Sequence, residues 1–119
     1  EIYSVLTDAD SYLQLMDFRI RLETECTRLA SLHPCEKIIT IMQKAIDKMK
    51  NSCGDRKRFS EDDIAFHLAI AAGSKHKLYA TVVSGLEKRS IEYANISRGN
   101  SERYQNVINT HQDIFDALV

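Results

Sequence analysis

The sequence contains few residues that interrupt a helix, with one proline and four glycines among 119 positions. Helix-forming residues dominate the remainder, so the composition favours an all-α protein. The length suits one domain, spanning residues 1–119, that can bury a substantial core. We therefore expect an antiparallel helical bundle with short connections.

Other absences narrow the class of function. The charges are nearly balanced, since 16 basic and 17 acidic side chains leave a net charge of -1. We therefore expect no basic surface for nucleic acid. No apolar run approaches the roughly 20 residues that span a bilayer, and we expect no membrane partner. Three cysteines without Cys-x-x-Cys spacing favour a cytoplasmic location. Nucleophilic triads, phosphate-binding glycine-rich loops and the Glu-x-x-His pairs of di-iron bundles are also missing.

The stretch from Ser60 to Gly73 is the most informative part of the chain. Ser60 is a candidate N-cap, and three carboxylates follow it in the expected first turn. Every residue from position 64 to position 72 is apolar except His67, which is typical of a helix inside a bundle. Asp63 precedes His67 by one turn and shares its face. The pair indicates half of a metal or ligand site, although an N3 carboxylate such as Asp63 can also serve the cap and the helix dipole.

Hydrophobic periodicity predicts four further helices, near residues 8–32, 35–51 and 76–96 and from 101 onwards, with a loop at 51–58. Arg19 and Glu23 lie at the margin of the apolar stripe of the first helix, one turn apart. Arg19 is either a surface ion-pair partner of Glu23 or a pocket-lining arginine. The predicted stripe of this helix consists of Leu15, Phe18, Leu22, Cys26 and Leu29.

His111 occupies the centre of the apolar face of the last helix, where a leucine would be expected. A single histidine there is more often a core residue bonded to a backbone carbonyl. Two inward histidines on separate helices, one with an aspartate on its own face, favour a shared site. Asp63, His67 and His111 together suit a divalent ion of the Zn, Ni or Mn class. Ligating histidines must be neutral, so metal occupancy should fall as the pH drops through about 6 to 6.5.

Four short motifs follow one another along nearly the whole chain: Arg19-x-x-Leu22-Glu23, Arg28-Leu29-Ala30, Asp63-x-x-Phe66-His67 and His111-x-x-Ile114-x-x-Ala117. In this order and spacing the sequence resembles the FCD effector domain, the C-terminal domain of FadR-type regulators in the GntR family. The resemblance implies a helical bundle that binds a metal and, through it, a small carboxylate effector. Asp63, His67 and His111 fall on three metal-ligand positions, and Arg19 on the first-helix arginine. Arg89, at the inward margin of the fourth helix, is a second candidate for effector binding.

The resemblance also implies a regulator rather than an enzyme, acting as a homodimer. DNA would be bound only through a helix-turn-helix domain that would precede Glu1. A fourth metal ligand, usually histidine, would lie on a helix after Val119, so we expect weak or no metal binding by this chain alone. Lys75-His76 stands where the family often has Gly-Asn.

Two alternatives remain beside this reading. One is a metal-dependent helical enzyme acting on a small carboxylate, with Asp63, His67 and His111 around an open coordination position. The other is a structural bundle in which both histidines are satisfied core residues.

Overall fold

The structure is a computed structural model that describes the backbone of residues 9–94 and 101–119 and the side chains of residues 13–87 and 105–119. Within these ranges the chain forms helices and no strand, so the predicted all-α class is confirmed. None of these helices is long and apolar enough to cross a membrane. In chain order they are α1 (Ala9–Leu32), α2 (Glu36–Lys50), α3 (Arg56–Gly73), α4 (Lys77–Ala94) and α5 (Ser101–Leu118).

Helix α3 occupies the centre of the bundle, packing against α1, α2 and α4, while α5 packs against α2 and α1. Phe66, in the middle of α3, is fully buried. Ala65 and Ala72 are nevertheless exposed, so α3 is not enclosed on every side. The core around Phe66 is built from Leu22, Cys26, Met42, Ala45, Ile46, Ala69, Ile70, Ala71 and Val83.

The start of α3 differs from the sequence-based prediction. Asp55, and not Ser60, is the N-cap, because its backbone is extended (φ -124, ψ 96) and its side chain accepts a hydrogen bond from the Arg58 N–H. The burial of Phe59 is the physical reason. Phe59 packs in a second cluster with Met49 and Ile108, and this packing stabilises a helix that begins one turn before Ser60. Residues 56–58, predicted as loop, are therefore helical. Asp63 consequently lies in the helix interior, and its interpretation as an N3 carboxylate is wrong.

A tight turn joins α3 to α4. The last residue of α3 is Gly73, where a Cβ atom would lie 3.3 Å from both Ala30 Cβ and Ile38 Cγ2, so glycine allows α1 and α2 to approach this end of the helix. Lys75 follows with φ 58, in the left-handed region that favours glycine. The FCD resemblance leads one to expect Gly-Asn at positions 75 and 76. Lys75 therefore adopts a backbone conformation that a glycine would adopt without strain.

The buried face of α1 is rotated relative to the predicted stripe. Leu15, Leu22 and Cys26 are buried as expected, but Phe18 is 50% exposed. At about 100° per residue, Arg19 lies about 40° to one side of Leu15, and Phe18 lies about 60° to the other. The rotation therefore brings Arg19 inward, and its side chain is only 11% exposed.

Candidate metal and effector site

Polar side chains from four helices meet inside the bundle. All of them are buried or half-buried. Helix α3 contributes two of these side chains, and helices α1, α4 and α5 contribute the other four. The cluster consists of Arg19 and Glu23 on α1, Asp63 and His67 on α3, Glu87 on α4 and His111 on α5.

Asp63 is the point at which the two histidines meet. The Nε2 atom of His111 donates a hydrogen bond to Asp63 Oδ1 at 2.6 Å, and His67 Nε2 lies 3.1 Å from the same oxygen. The ring centroids of His67 and His111 are 4.9 Å apart. Phe66 lies beside this group, with its centroid 4.4 Å from that of His111. The expected approach of the two histidines across the core is therefore confirmed.

The donor set of Asp63, His67 and His111 fits a divalent metal ion. One ligand atom from each residue lies within 4.8 Å of the other two. Bonds of about 2.0 to 2.1 Å to an ion would place neighbouring ligand atoms about 3.3 Å apart. Asp63 Oδ1 lies 3.1 Å from His67 Nε2 and 2.6 Å from His111 Nε2, so the His111 contact would lengthen around an ion. Among the described residues, His111 Nδ1 is buried without a hydrogen-bond partner, so Nε2 is the ring nitrogen that bonds to Asp63. An ion held here would act as a Lewis acid that accepts one carboxylate oxygen.

His67 lies between two carboxylates, which favour the cationic form of its ring. Its Nδ1 atom lies 2.5 Å from Glu23 Oε1, and its Nε2 atom faces Asp63. Burial opposes the charged ring, but the contacts with Asp63 and Glu23 outweigh it and raise the pKa of His67 to about 10. Burial likewise opposes ionisation of Asp63, while the hydrogen bonds and charges of the two histidines hold its pKa well below the usual range. A proton on His67 thus supplies positive charge that a bound ion would replace.

Arg19 is paired with two carboxylates from different helices. Its Nε atom donates to Glu23 Oε2 at 2.9 Å, within α1. Its Nη2 atom lies 2.8 Å from Glu87 Oε1 of α4. Both earlier possibilities for Arg19 hold in part, because the i,i+4 ion pair exists and the side chain is directed into the bundle. Arg89 belongs to α4, but its side chain lies outside the described residues.

A comparison with protein families identifies the family of this chain. The family described as FCD domain matches residues 14–119, which is most of the chain. The chain belongs to the FCD domain family. A comparison with curated proteins gave no significant match, and a comparison with solved structures gave none either.

Glu87 is the polar residue of this FCD domain that the sequence reasoning missed. Its side chain is 2% exposed, and burial raises its pKa to about 7, although the charges of His67 and Arg19 act in the opposite direction. The sequence contains a signal for it, because Glu87 follows the apolar Val83 by four residues and so lies on the same helix face. Glu23, His67 and Glu87 form a second group whose ligand atoms lie within 4.8 Å of one another, and Arg19 provides this group with a cation.

Proposed function

We propose that this FCD domain senses a small carboxylate effector through a divalent ion of the Zn, Ni or Mn class held by Asp63, His67 and His111. The observation that carries the proposal is the convergence of three ligand atoms, supplied by α3 and α5, on one point inside the bundle. The membership of the chain in the FCD domain family supports it. Three protein ligands leave coordination positions open, and an open position suits a carboxylate oxygen.

Arg19 would bind the remaining carboxylate oxygens of the effector. A guanidinium group forms charge-assisted, bidentate hydrogen bonds to carboxylates, and Arg19 is held beside the metal site through Glu23 and His67. Residues 1–119 would act as one effector-binding and dimerising domain of a GntR-type transcription regulator. Effector binding would shift the population of domain arrangements in the homodimer and so change the DNA affinity of a separate helix-turn-helix domain.

Metal binding can be tested directly by titrating Zn²⁺ into the metal-free chain in a calorimeter. Because a fourth ligand is expected outside this chain, we expect one weak site per chain in the wild type, no binding in His67→Ala and His111→Ala, and still weaker binding in Asp63→Asn. His33→Ala is the matched control, since it also removes a histidine but at an exposed position between α1 and α2. Equal Zn²⁺ binding by the three site variants and the wild type would contradict the metal assignment.

Effector binding can be tested by thermal shift with a panel of hydroxy acids and dicarboxylic acids. A ligand that binds only the native state raises the melting temperature by mass action. The shift should shrink with a chelator and with Arg19→Ala, but persist in Arg21→Ala, where the arginine is 77% exposed. A shift that survives both treatments would refute carboxylate binding on the metal. Turnover of any panel member would favour the enzyme alternative.

A further inference from the structure

The ion pairs of Arg19 leave little of its guanidinium group for a ligand. Nε donates to Glu23, Nη2 lies against Glu87, and Nη1 is directed at Met16 Sδ at 3.9 Å. A bidentate carboxylate contact needs two adjacent N–H groups of the fork. Nη1 faces the Met16 side chain, and the edge formed by Nε and Nη2 faces carboxylates of the protein. An effector carboxylate can use the Nε/Nη2 edge only by displacing Glu23 or Glu87.

The two carboxylates are not held equally. Glu23 receives the hydrogen bond from Arg19 Nε and also lies 2.5 Å from His67 Nδ1, so two partners retain it. Neither Glu23 Oε1 nor Glu87 Oε1 accepts a hydrogen bond within the described residues. Glu87 also interacts with the Glu23 carboxyl group, but its one cationic partner in the described part of the chain is Arg19 Nη2, and it reaches the cluster from a different helix. Glu87 is therefore the carboxylate that a ligand can displace.

The formal charges of the cluster also identify Glu87 as the residue that opposes the binding of an anion. A divalent ion and Arg19 would carry three positive charges, and the carboxylates of Glu23, Asp63 and Glu87, when all are ionised, would carry three negative charges. With His67 neutral as a metal ligand, the loaded cluster has no net charge to attract an anion. Removing the charge of Glu87 would leave one positive charge beside the Arg19 fork, where a carboxylate could use it.

We propose that Glu87 is a specificity-determining residue that occupies Arg19 as an internal competitor of the effector. The inference rests on the proposed function and concerns the second carboxylate of a dicarboxylic acid. A monocarboxylate would use only the metal position and leave Glu87 in place. A dicarboxylate would place its second group on Arg19 and would have to displace Glu87. Glu87 would thus reduce the affinity for dicarboxylates selectively.

The test uses succinate and acetate as probes, titrated into Zn²⁺-saturated chain at pH 8 in a calorimeter. Glu87→Gln should bind succinate about tenfold more tightly than the wild type, since a hydrogen bond to a charged group contributes enough for a factor of this size. Acetate affinity should change less than about twofold. Glu25→Gln is the matched control, because it removes one negative charge from an exposed ion pair with Arg28, and it should change neither affinity. Combining Arg19→Gln with Glu87→Gln should remove the gain for succinate.

The other outcomes of this experiment distinguish failure of the role of Glu87 from failure of the proposed function. Metal-dependent succinate binding by the wild type with no gain in Glu87→Gln would refute the role of Glu87 and leave the proposed function standing. Equal gains for succinate and acetate would also refute it, because Glu87 would then act through net charge and not through Arg19. Failure of both probes to bind any Zn²⁺-saturated variant would overturn the proposed function and this inference with it. If circular dichroism shows that Glu87→Gln does not fold, Glu87→Asp replaces it, and its shorter side chain should give a smaller gain for succinate alone.

Discussion

The charge on His67 makes the stability of the metal-free protein depend on pH. In the folded state, Glu23 and Asp63 raise the pKa of His67 to about 10 from its ordinary value of 6.5. Below pH 6.5 both the folded and the unfolded chain carry this proton, so the stabilisation is fully present. Between these pH values only the folded chain retains the proton, and stability falls as the pH rises. Above about pH 10 the contribution is lost.

The size of the effect follows from the same shift. One pKa unit corresponds to about 1.4 kcal/mol, so the full shift sets an upper value of about 5 kcal/mol. The Asp63 side chain is 29% exposed and the His67 side chain 14%, so solvent screens part of the interaction. We therefore expect a loss of about 3 kcal/mol in the free energy of unfolding between pH 6.5 and pH 10.

Urea unfolding of the chelator-treated protein at several pH values would measure this contribution. His67→Gln lacks the titrating ring, so the difference between wild type and His67→Gln isolates the effect of His67 from the titration of other groups. His33→Gln is the control, because it removes an exposed histidine that contacts no member of the cluster. A wild-type advantage over His67→Gln that stays constant from pH 7 to pH 10 would refute the charged state of His67. Because a metal must displace this proton, Zn²⁺ binding should weaken with falling pH well above the window of about 6 to 6.5 expected from an unperturbed histidine.

Three further predictions concern local structure, and urea unfolding at neutral pH checks each. Asp55→Ala should lower the free energy of unfolding by about 1 kcal/mol, because it removes the N-cap of α3, whereas Ser60→Ala should change it little; the reverse order would restore Ser60 as the cap. Lys75→Gly should stabilise by about 0.5 to 1 kcal/mol, since glycine adopts φ 58 without strain, and a loss of stability would contradict that strain. Gly73→Ala should destabilise the protein by about 1 kcal/mol, because its Cβ would crowd Ala30 and Ile38. Gly85→Ala should stabilise it by about 0.5 to 1 kcal/mol, because its Cβ would meet no atom within 4 Å. Similar effects of the two substitutions would refute the close approach at Gly73.

The sequence by itself determined the features that depend on local periodicity. Five helical segments follow from the spacing of apolar residues and from the breaks at His33-Pro34, Gly54, Gly73-Ser74 and Ser97-Arg98-Gly99-Asn100. The common face of Asp63 and His67 follows from their spacing in any helix that contains both, and the inward direction of His111 follows from its apolar neighbours. These properties survive an error in the helix boundary, which is why the wrong choice of Ser60 as N-cap did not change them.

Only the tertiary structure decided which partners each of these groups meets. Asp55 and Ser60 are both good capping residues, and the burial of Phe59 against Met49 and Ile108 selected the earlier one. The rotation of α1 that exposes Phe18 and buries Arg19 depends on the helices packed against it, as does the arrival of Glu87 from α4 beside Arg19. Periodicity specifies the face on which a side chain lies but not the charge that another helix brings to it, and in a buried cluster that charge sets the protonation state and the groups left free to bind a ligand.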